Sequence, residues 1–459
     1  MAESNFSLAK TFLTLLDDKK YTSLRDLLST MNPADIAAVF EELNESRLPL
    51  LFRLLPKDLA AESFVEMEPD AQELLIQGFS DSELKEVIDE LYVDDAVDIV
   101  EEMPANVVQR ILAQADPEMR KQINEILRYP EDSAGSIMTT EYVSLRPNMT
   151  VGEAILRIRR TGIDKETIYT CYVTKGHKLV GLVSVKDLLL CEDDDTLISD
   201  IMQENVITVG TMDDQEQVAQ MFSKYNFLAL PVVDTENRLV GIITFDDAMD
   251  VMEDEATEDM EKMAAMLPSE HPYMRSTPLE IWKNRIPWLL LLMISATLTG
   301  LVISSFENAL GALPCLTAFI PMLMDTGGNS GSQACVTIIR GISLNEIQFR
   351  DIFRVIWKEM RVAVLCGICL AIACFGKIML IDRLLLHNES VTPVVALVVC
   401  ISLALTVFLA KLVGSTLPLL AKKLGFDPAV MASPIITTIV DFLSLMVYFT
   451  FATALLHIG

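Results

Sequence analysis

The sequence predicts a multidomain membrane protein: a cytosolic α-solenoid, a tandem α/β pair, an acidic linker helix and a five-helix transmembrane domain. Three observations predict it. A 12-residue apolar repeat runs from Met31 to about Arg128. A second repeat, LVGLVSVKDL at 179–188, returns as LVGIITFDDA at 239–248, an offset of 60. Long uncharged runs begin only at Ile286, and residues 1–285 hold 56 of the 65 acidic residues but 26 of the 36 basic ones. So anionic a front half excludes nucleic acid as a partner and favours cations. The expected boundaries are 1–128 for the helical domain, 129–200 and 201–250 for the tandem copies, 251–285 for the linker and 286–459 for the membrane domain.

In the first repeat the units start at Met31, Leu43, Leu55, Met67, Phe79, Leu91, Met103 and Ala115. Eight residues on stand Val39, Leu51, Ser63, Leu75, Val87, Ile99, Ile111 and Ile123. Twelve residues hold one short helix and a turn, and Asn32–Pro33, Pro56, Pro69, Ser80 and Pro117 are the residue types that start helices. Stacked short helices make a small solenoid. Within it LYVDDAVDIVEEMP gathers Asp94, Asp95, Asp98, Glu101 and Glu102. Alone, such a run reads as a solvated face.

Each tandem copy reads as strand, turn, strand and helix, with YTCYVT and LALPVV as the leading strands. This resembles the CBS domain pair, whose two copies pack together. In that family a Ser/Thr-x-x-Asp after the second strand can hold an adenosine nucleotide such as ATP. Here the match is Ser184 with Asp187 and Thr244 with Asp247. The same residues also serve as ordinary helix caps.

From Thr244 to Leu267 runs a charged helix. Met249, Met252, Ala256, Met260, Met263 and Leu267 fall on one stripe, and Asp247, Asp250, Asp254, Glu258 and Glu261 on another. Like charges at these offsets cost ~0.2–0.5 kcal/mol a pair, and Lys262 is the one base among them. Such a helix is built to receive a cation.

Five spans follow, at Ile286–Phe306, Leu310–Ile339, Val362–Ile381, Val391–Ala410 and Ala429–Leu456. Trp282 and Trp288 stand at the entry of the first. Arg340, Arg350, Arg354, Lys358 and Arg361 follow the second span, and Lys411, Lys422 and Lys423 the fourth. By the positive-inside rule the N-terminus is cytosolic and the C-terminus outside, in the plasma membrane. MAESNFSLAK has no signal-peptide pattern, which agrees. The eight cysteines lie mostly in apolar runs and the four histidines are scattered, so no zinc site is expected.

Two places in the spans carry chemistry. In PMLMDTGGNSGSQ, Gly327, Gly328 and Gly331 are expected to loosen the second span, exposing oxygens of Asp325, Asn329, Ser332 and Gln333. In the fifth span Asp441 follows Pro434, Thr437 and Thr438, and a carboxylate at that depth costs ~2.5–3.5 kcal/mol unless it has a function. Hard oxygen ligands suit Mg2+ or Ca2+. Neither a Walker A loop nor an Asp-Lys-Thr-Gly-Thr motif occurs, so an ATP-hydrolysing enzyme is not expected.

The order of parts, with YPEDSAG (129–135), EATED (255–259), GGNSGSQ (327–333) and Asp441, resembles the MgtE family of magnesium channels over essentially the whole chain. The resemblance implies a homodimer with its pore on the two-fold axis. It implies that Asp441 meets the permeating hydrated Mg2+, with Thr437, Asn329 and Gln333 around it. It further implies that Mg2+ held among Asp94, Asp95, Asp98, Asp247, Asp250, Glu255, Glu258 and Asp259 keeps the channel closed. Ser332 and Ser444 depart from the Asn and Gly that many relatives carry. Two other functions stay open: a proton- or sodium-coupled exchanger using Asp441 and Asp325, and a membrane-anchored nucleotide sensor.

Overall fold

In the computed structural model of the chain, residues 2–43, 47–269, 273, 276–431 and 433–457 are described. The chain divides into two compact units, 1–252 and 253–459. The expected fifth span and the linker each cross residues outside the described set.

The first unit opens with ten helices: α1 (Ala2–Asp17), α2 (Tyr21–Leu28), α3 (Pro33–Glu41), α4 (Leu48–Phe52), α5 (Lys57–Val65), α6 (Pro69–Gly78), α7 (Asp81–Ile88), α8 (Val93–Glu102), α9 (Ala105–Gln114) and α10 (Pro117–Ile126). The 12-residue period becomes their core: all eight residues from Val39 to Ile123 named above are buried. Because a short helix buries only one stripe, odd-numbered helices stack on one another in sequence, α1 on α3, α3 on α5, α5 on α7 and α7 on α9. The start signals act as caps. Asn32 accepts from the Ala34 N–H, Ser80 and Glu83 form a capping box, and Asp116 accepts from Glu118 and Met119.

The two tandem copies form two three-stranded sheets of one design. β1 (Tyr142–Leu145) pairs parallel with β2 (Thr167–Lys175), which pairs antiparallel with β3 (Lys178–Ser184). β4 (Val209–Gly210), β5 (Ala229–Val233) and β6 (Leu239–Thr244) repeat the pattern. Helices α11 (Val151–Thr161) and α14 (Gln215–Tyr225) make the parallel crossovers; α12 (Val185–Leu190) and α13 (Ile198–Ile201) follow β3. The copies are stitched together where Leu179 N–H donates to the Asn237 carbonyl (3.1 Å) and Leu239 N–H to that of His177 (3.0 Å). Sequence reading finds neither β1 nor β4, since four and two residues are too short to show an alternation. After β6 comes α15 (Phe245–Met263), within which the two units divide.

The second unit contains α16 (Pro278–Ser305), α17 (Glu307–Ala312), α18 (Ile320–Ser343), α19 (Ile352–Lys377), α20 (Pro393–Lys423) and α21 (Ser433–Leu456). Helices α18, α20 and α21 pack on one another, α19 packs on α20, and α16 on α21. Among the described residues four segments are long and apolar enough to cross a membrane: Pro278–Ser305, Phe349–Leu385, Pro393–Lys423 and Ala429–Leu456. The 24-residue α18, with its polar insert, is not one of them.

The expected loosening of the second span does not occur. Helix α18 is continuous through Gly327, Gly328 and Gly331. A Cβ on Gly327 would come 2.6 Å from Thr406 Cγ2, one on Gly328 would come 2.9 Å from Thr437 Cγ2, and one on Gly331 would come 2.7 Å from Ile436 Cγ2. These glycines admit α20 and α21 to close range, which fixes the helix instead of breaking it.

Candidate functional site: a polar helix face and a buried acid group

Asp325, Asn329 and Gln333 recur every four residues on α18 and are all exposed, so they form one polar stripe along a helix otherwise packed by glycine. Asn329 Nδ2 donates to Asp325 Oδ1 at 3.1 Å. Across from it on α21, Thr437 touches the Gly328 position and donates its hydroxyl to the Pro434 carbonyl (2.9 Å). Asp441 lies one turn further on, and Asp325 is the carboxylate that acts on it electrostatically. Ser444 gives its hydroxyl to the Asp441 backbone carbonyl (2.9 Å), leaving the Asp441 carboxylate for another partner. The four expected pore residues are thus carried by two helices in contact, α18 and α21.

In the first unit the fold gathers Asp94, Asp95 and Asp98 of α8 against Asp247 in the first turn of α15. Glu141 and Glu166 join them, and sequence reading misses both. They lie outside any acidic run, and only the folding of the first tandem copy brings them in. Glu141 Oε2 accepts the Val93 N–H at 3.1 Å, at the start of α8. Burial, then the Asp247 charge, pushes Asp95 up to about 7. The same two causes push Asp98 up to about 8, although its open side to solvent places it at the rim of the group. Burial and Asp95 push Glu166 up to about 8, and burial pushes Asp247 up to about 6 against its bond from Thr244. Asp94 is the most deeply buried, and burial, then the Asp247 charge, raises it well above the usual carboxylate range. Glu166 Oε2 is buried with no partner among the described residues. Carboxylates crowded together without a base among their causes of shift are a demand for protons or a metal cation. No three His, Cys, Asp or Glu among the described residues already stand in ligating positions.

The remaining expected sensor acids fall in both units. Asp250 sits close enough to raise Asp247, whereas Glu255, Glu258 and Asp259 belong to the second unit. There Glu258 pairs with Lys262 (2.6 Å), which also pairs with Asp427 (2.8 Å), a residue absent from the expected set. Burial and Asp427 raise Asp259. Of the expected methionine stripe, Met263 packs with Cys335, Ile339, Ala410, Ile436 and Val440, but Met249, Met252 and Met260 are exposed. At the two nucleotide motifs the hydroxyls bond the motif's own Asp, and Ser184 also caps α12 by accepting the Asp187 N–H at 3.1 Å. Ser184 Oγ donates to Asp187 Oδ2 (2.6 Å) and Thr244 Oγ1 to Asp247 Oδ2 (2.5 Å).

A CBS pair ahead of membrane-length helices with a carboxylate-bearing polar face defines a multi-pass membrane transporter of divalent cations. Comparison with known proteins agrees part by part. The MgtE divalent cation transporter family matches residues 320–451, the MgtE intracellular N domain 31–132, and the CBS domain 134–192 and 198–254. The magnesium transporter MgtE of Thermus thermophilus is 37% identical over 98% of this chain and 99% of its own, and that of Bacillus subtilis 33% identical over 97% and 96%. The chain belongs to the MgtE family of magnesium transporters. Among solved structures it resembles the cytosolic domain of the Mg2+ channel MgtE in complex with ATP, with 38% identity and a TM-score of 0.50 over 53% of this chain and 99% of that one. It likewise resembles the soluble part of a magnesium transporter, with 35% identity and a TM-score of 0.51 over 56% and 100%.

Proposed function

We propose that the protein is a Mg2+-selective channel for passive uptake, closed by internal Mg2+. The observation that carries this is Asp441 on α21 beside the uncovered Asp325–Asn329–Gln333 stripe of α18. A polar stripe on a helix within a membrane bundle needs a polar partner, and a second copy of the chain facing it across a two-fold axis supplies one. Between the copies a hydrated Mg2+ would be held through its waters, which suits an ion that dehydrates reluctantly. A divalent ion gains ~4.6 kcal/mol per 100 mV on moving to a negative interior, so no coupled energy source is required.

Helix α18 completes five spans in this reading, its polar face turned to the pore, which is why it falls short in hydropathy. The ten-helix domain is a solenoid, the N-terminus is cytosolic and the C-terminus outside, in the plasma membrane. With Mg2+ absent, Asp94, Asp95, Asp98 and Asp247 repel and the cytosolic parts separate. Bound Mg2+ replaces repulsion with shared coordination. A ligand at ~100 times its dissociation constant stabilises a state by ~2.7 kcal/mol per site. Two or more sites reach the ~5.5 kcal/mol that swings a two-state gate. The ATP complex of the solved relative favours an adenine nucleotide in the CBS pair as a further ligand, near Ser184, Asp187 and Thr244. The test is Mg2+ flux into liposomes holding the purified protein at graded internal Mg2+. A proton-coupled exchanger would show flux that collapses with the proton gradient.

A further inference from the structure

Lys262, the single base of the acidic stripe, stands at the end of α15, where chain direction changes at Ala265, a residue with φ of +55°. Its ammonium lies between two carboxylates of different segments. Glu258, one turn back on α15, is at 2.6 Å and Asp427, in the connection between α20 and α21, is at 2.8 Å. Burial alone would lower the lysine, but the hydrogen bonds to Asp427 and Glu258 outweigh it and hold it charged above the ordinary lysine range. Asp427 is itself committed: its Oδ1 accepts the Ala429 N–H at 2.8 Å, at the turn that leads into α21. The next residue after Lys262, Met263, packs against the buried cluster of α18, α20 and α21 to which Val440, the neighbour of Asp441, belongs.

We infer that Lys262 is a positioning residue, tying the end of the acidic helix to the loop that sets α21, and through it the position of Asp441. This rests on the gating reading above and adds a connection that no metal ion has to make. Met263 supplies an apolar anchor and Lys262 an ionic one, side by side on one turn. An ion pair whose two side chains are only 22% and 35% exposed suffers less solvent screening than an open surface pair. Movement of α15 therefore reaches α21 directly.

The test is a double-mutant cycle on full-length protein in liposomes, reading the internal Mg2+ at half-closure. Asn at position 427 keeps an acceptor for the Ala429 N–H and removes only the charge. Lys262→Met and Asp427→Asn should each raise the half-closing Mg2+ by about fivefold, at the low end of ordinary coupling. The double variant should move it no further than either alone, and Lys262→Arg should leave it in place. In parallel, hydrogen exchange at the Ala429 amide should quicken in Lys262→Met. An unmoved or lowered half-closing Mg2+ in Lys262→Met overturns the inference, as do additive effects in the double variant. Quickened exchange with an unmoved half-closing Mg2+ overturns it too, since the tie then positions nothing. Were wild-type protein not closed by Mg2+ at all, the gating reading would fail by itself. Ala429 exchange would then still decide the tie, with unaltered exchange overturning it and quickened exchange upholding it.

Discussion

Gly331 of α18 and Gly414 of α20 meet backbone to backbone: a Cβ on Gly414 would fall inside contact distance of the Gly331 carbonyl oxygen. This contact sets how closely the two helices cross, and with it the seat of α21 against α18.

Gly414→Ala should therefore destabilise the membrane domain by the ~1–3 kcal/mol typical of overpacking, or more, because the colliding atoms are backbone. Gly300→Ala and Gly376→Ala, where a Cβ would meet nothing within 4 Å, should be close to neutral. Thermal unfolding of the detergent-solubilised protein measures the difference.

Asp441→Ala should abolish divalent flux while leaving the fold intact, since among the described residues only the Asp441 backbone carbonyl, not its carboxylate, accepts a side-chain hydrogen bond. Asn329→Ala and Gln333→Ala should change ion preference or conductance without abolishing flux. Uptake of Mg2+, Mn2+ and Ca2+ by each variant in liposomes checks both. Wild-type uptake by well-folded Asp441→Ala would remove the pore assignment.

The acid group gives a pH dependence with a definite sign. Asp95, Asp98, Glu166 and Asp247 all titrate higher when folded than the ~4 of unfolded carboxylates. Between pH ~4 and 8 the folded state thus binds more protons, so without divalent ions stability falls as pH rises through that window. Protons and Mg2+ compete for the same oxygens, and each proton displaced makes apparent Mg2+ affinity rise about tenfold per pH unit. Proteolysis of residues 1–252 in chelator should be slower at pH 5.5 than at pH 8. Added Mg2+ should protect strongly at pH 8 and weakly at pH 5.5.

Much of this was legible in the residues themselves. The 12-residue period marked core positions because each short helix contributes one buried stripe, and Val39, Leu51 and Ile123 are fully buried. The offset of 60 marked the tandem copies because equal sequence makes equal sheets. What escaped depends on contacts distant in sequence. Glu141, Glu166 and Asp427 stand singly along the chain and become partners only through the fold. The glycines of α18 were misread for a physical reason. Small residues loosen an isolated helix, but here they let α20 and α21 approach, and packing outweighs propensity.

The central claim is that internal Mg2+ closes the pore through acids of the cytosolic part. Neutralising Asp94, Asp95, Asp98 and Asp247 together removes both the repulsion that opens and the ligands that close. The lost ligands should dominate. The most direct measurement is Mg2+ flux in liposomes for wild type and this variant, as internal Mg2+ is raised from micromolar to millimolar. Wild-type flux should shut down across that range, while the variant's flux stays open and flat. A variant that still closes at the wild-type Mg2+ concentration would contradict the account.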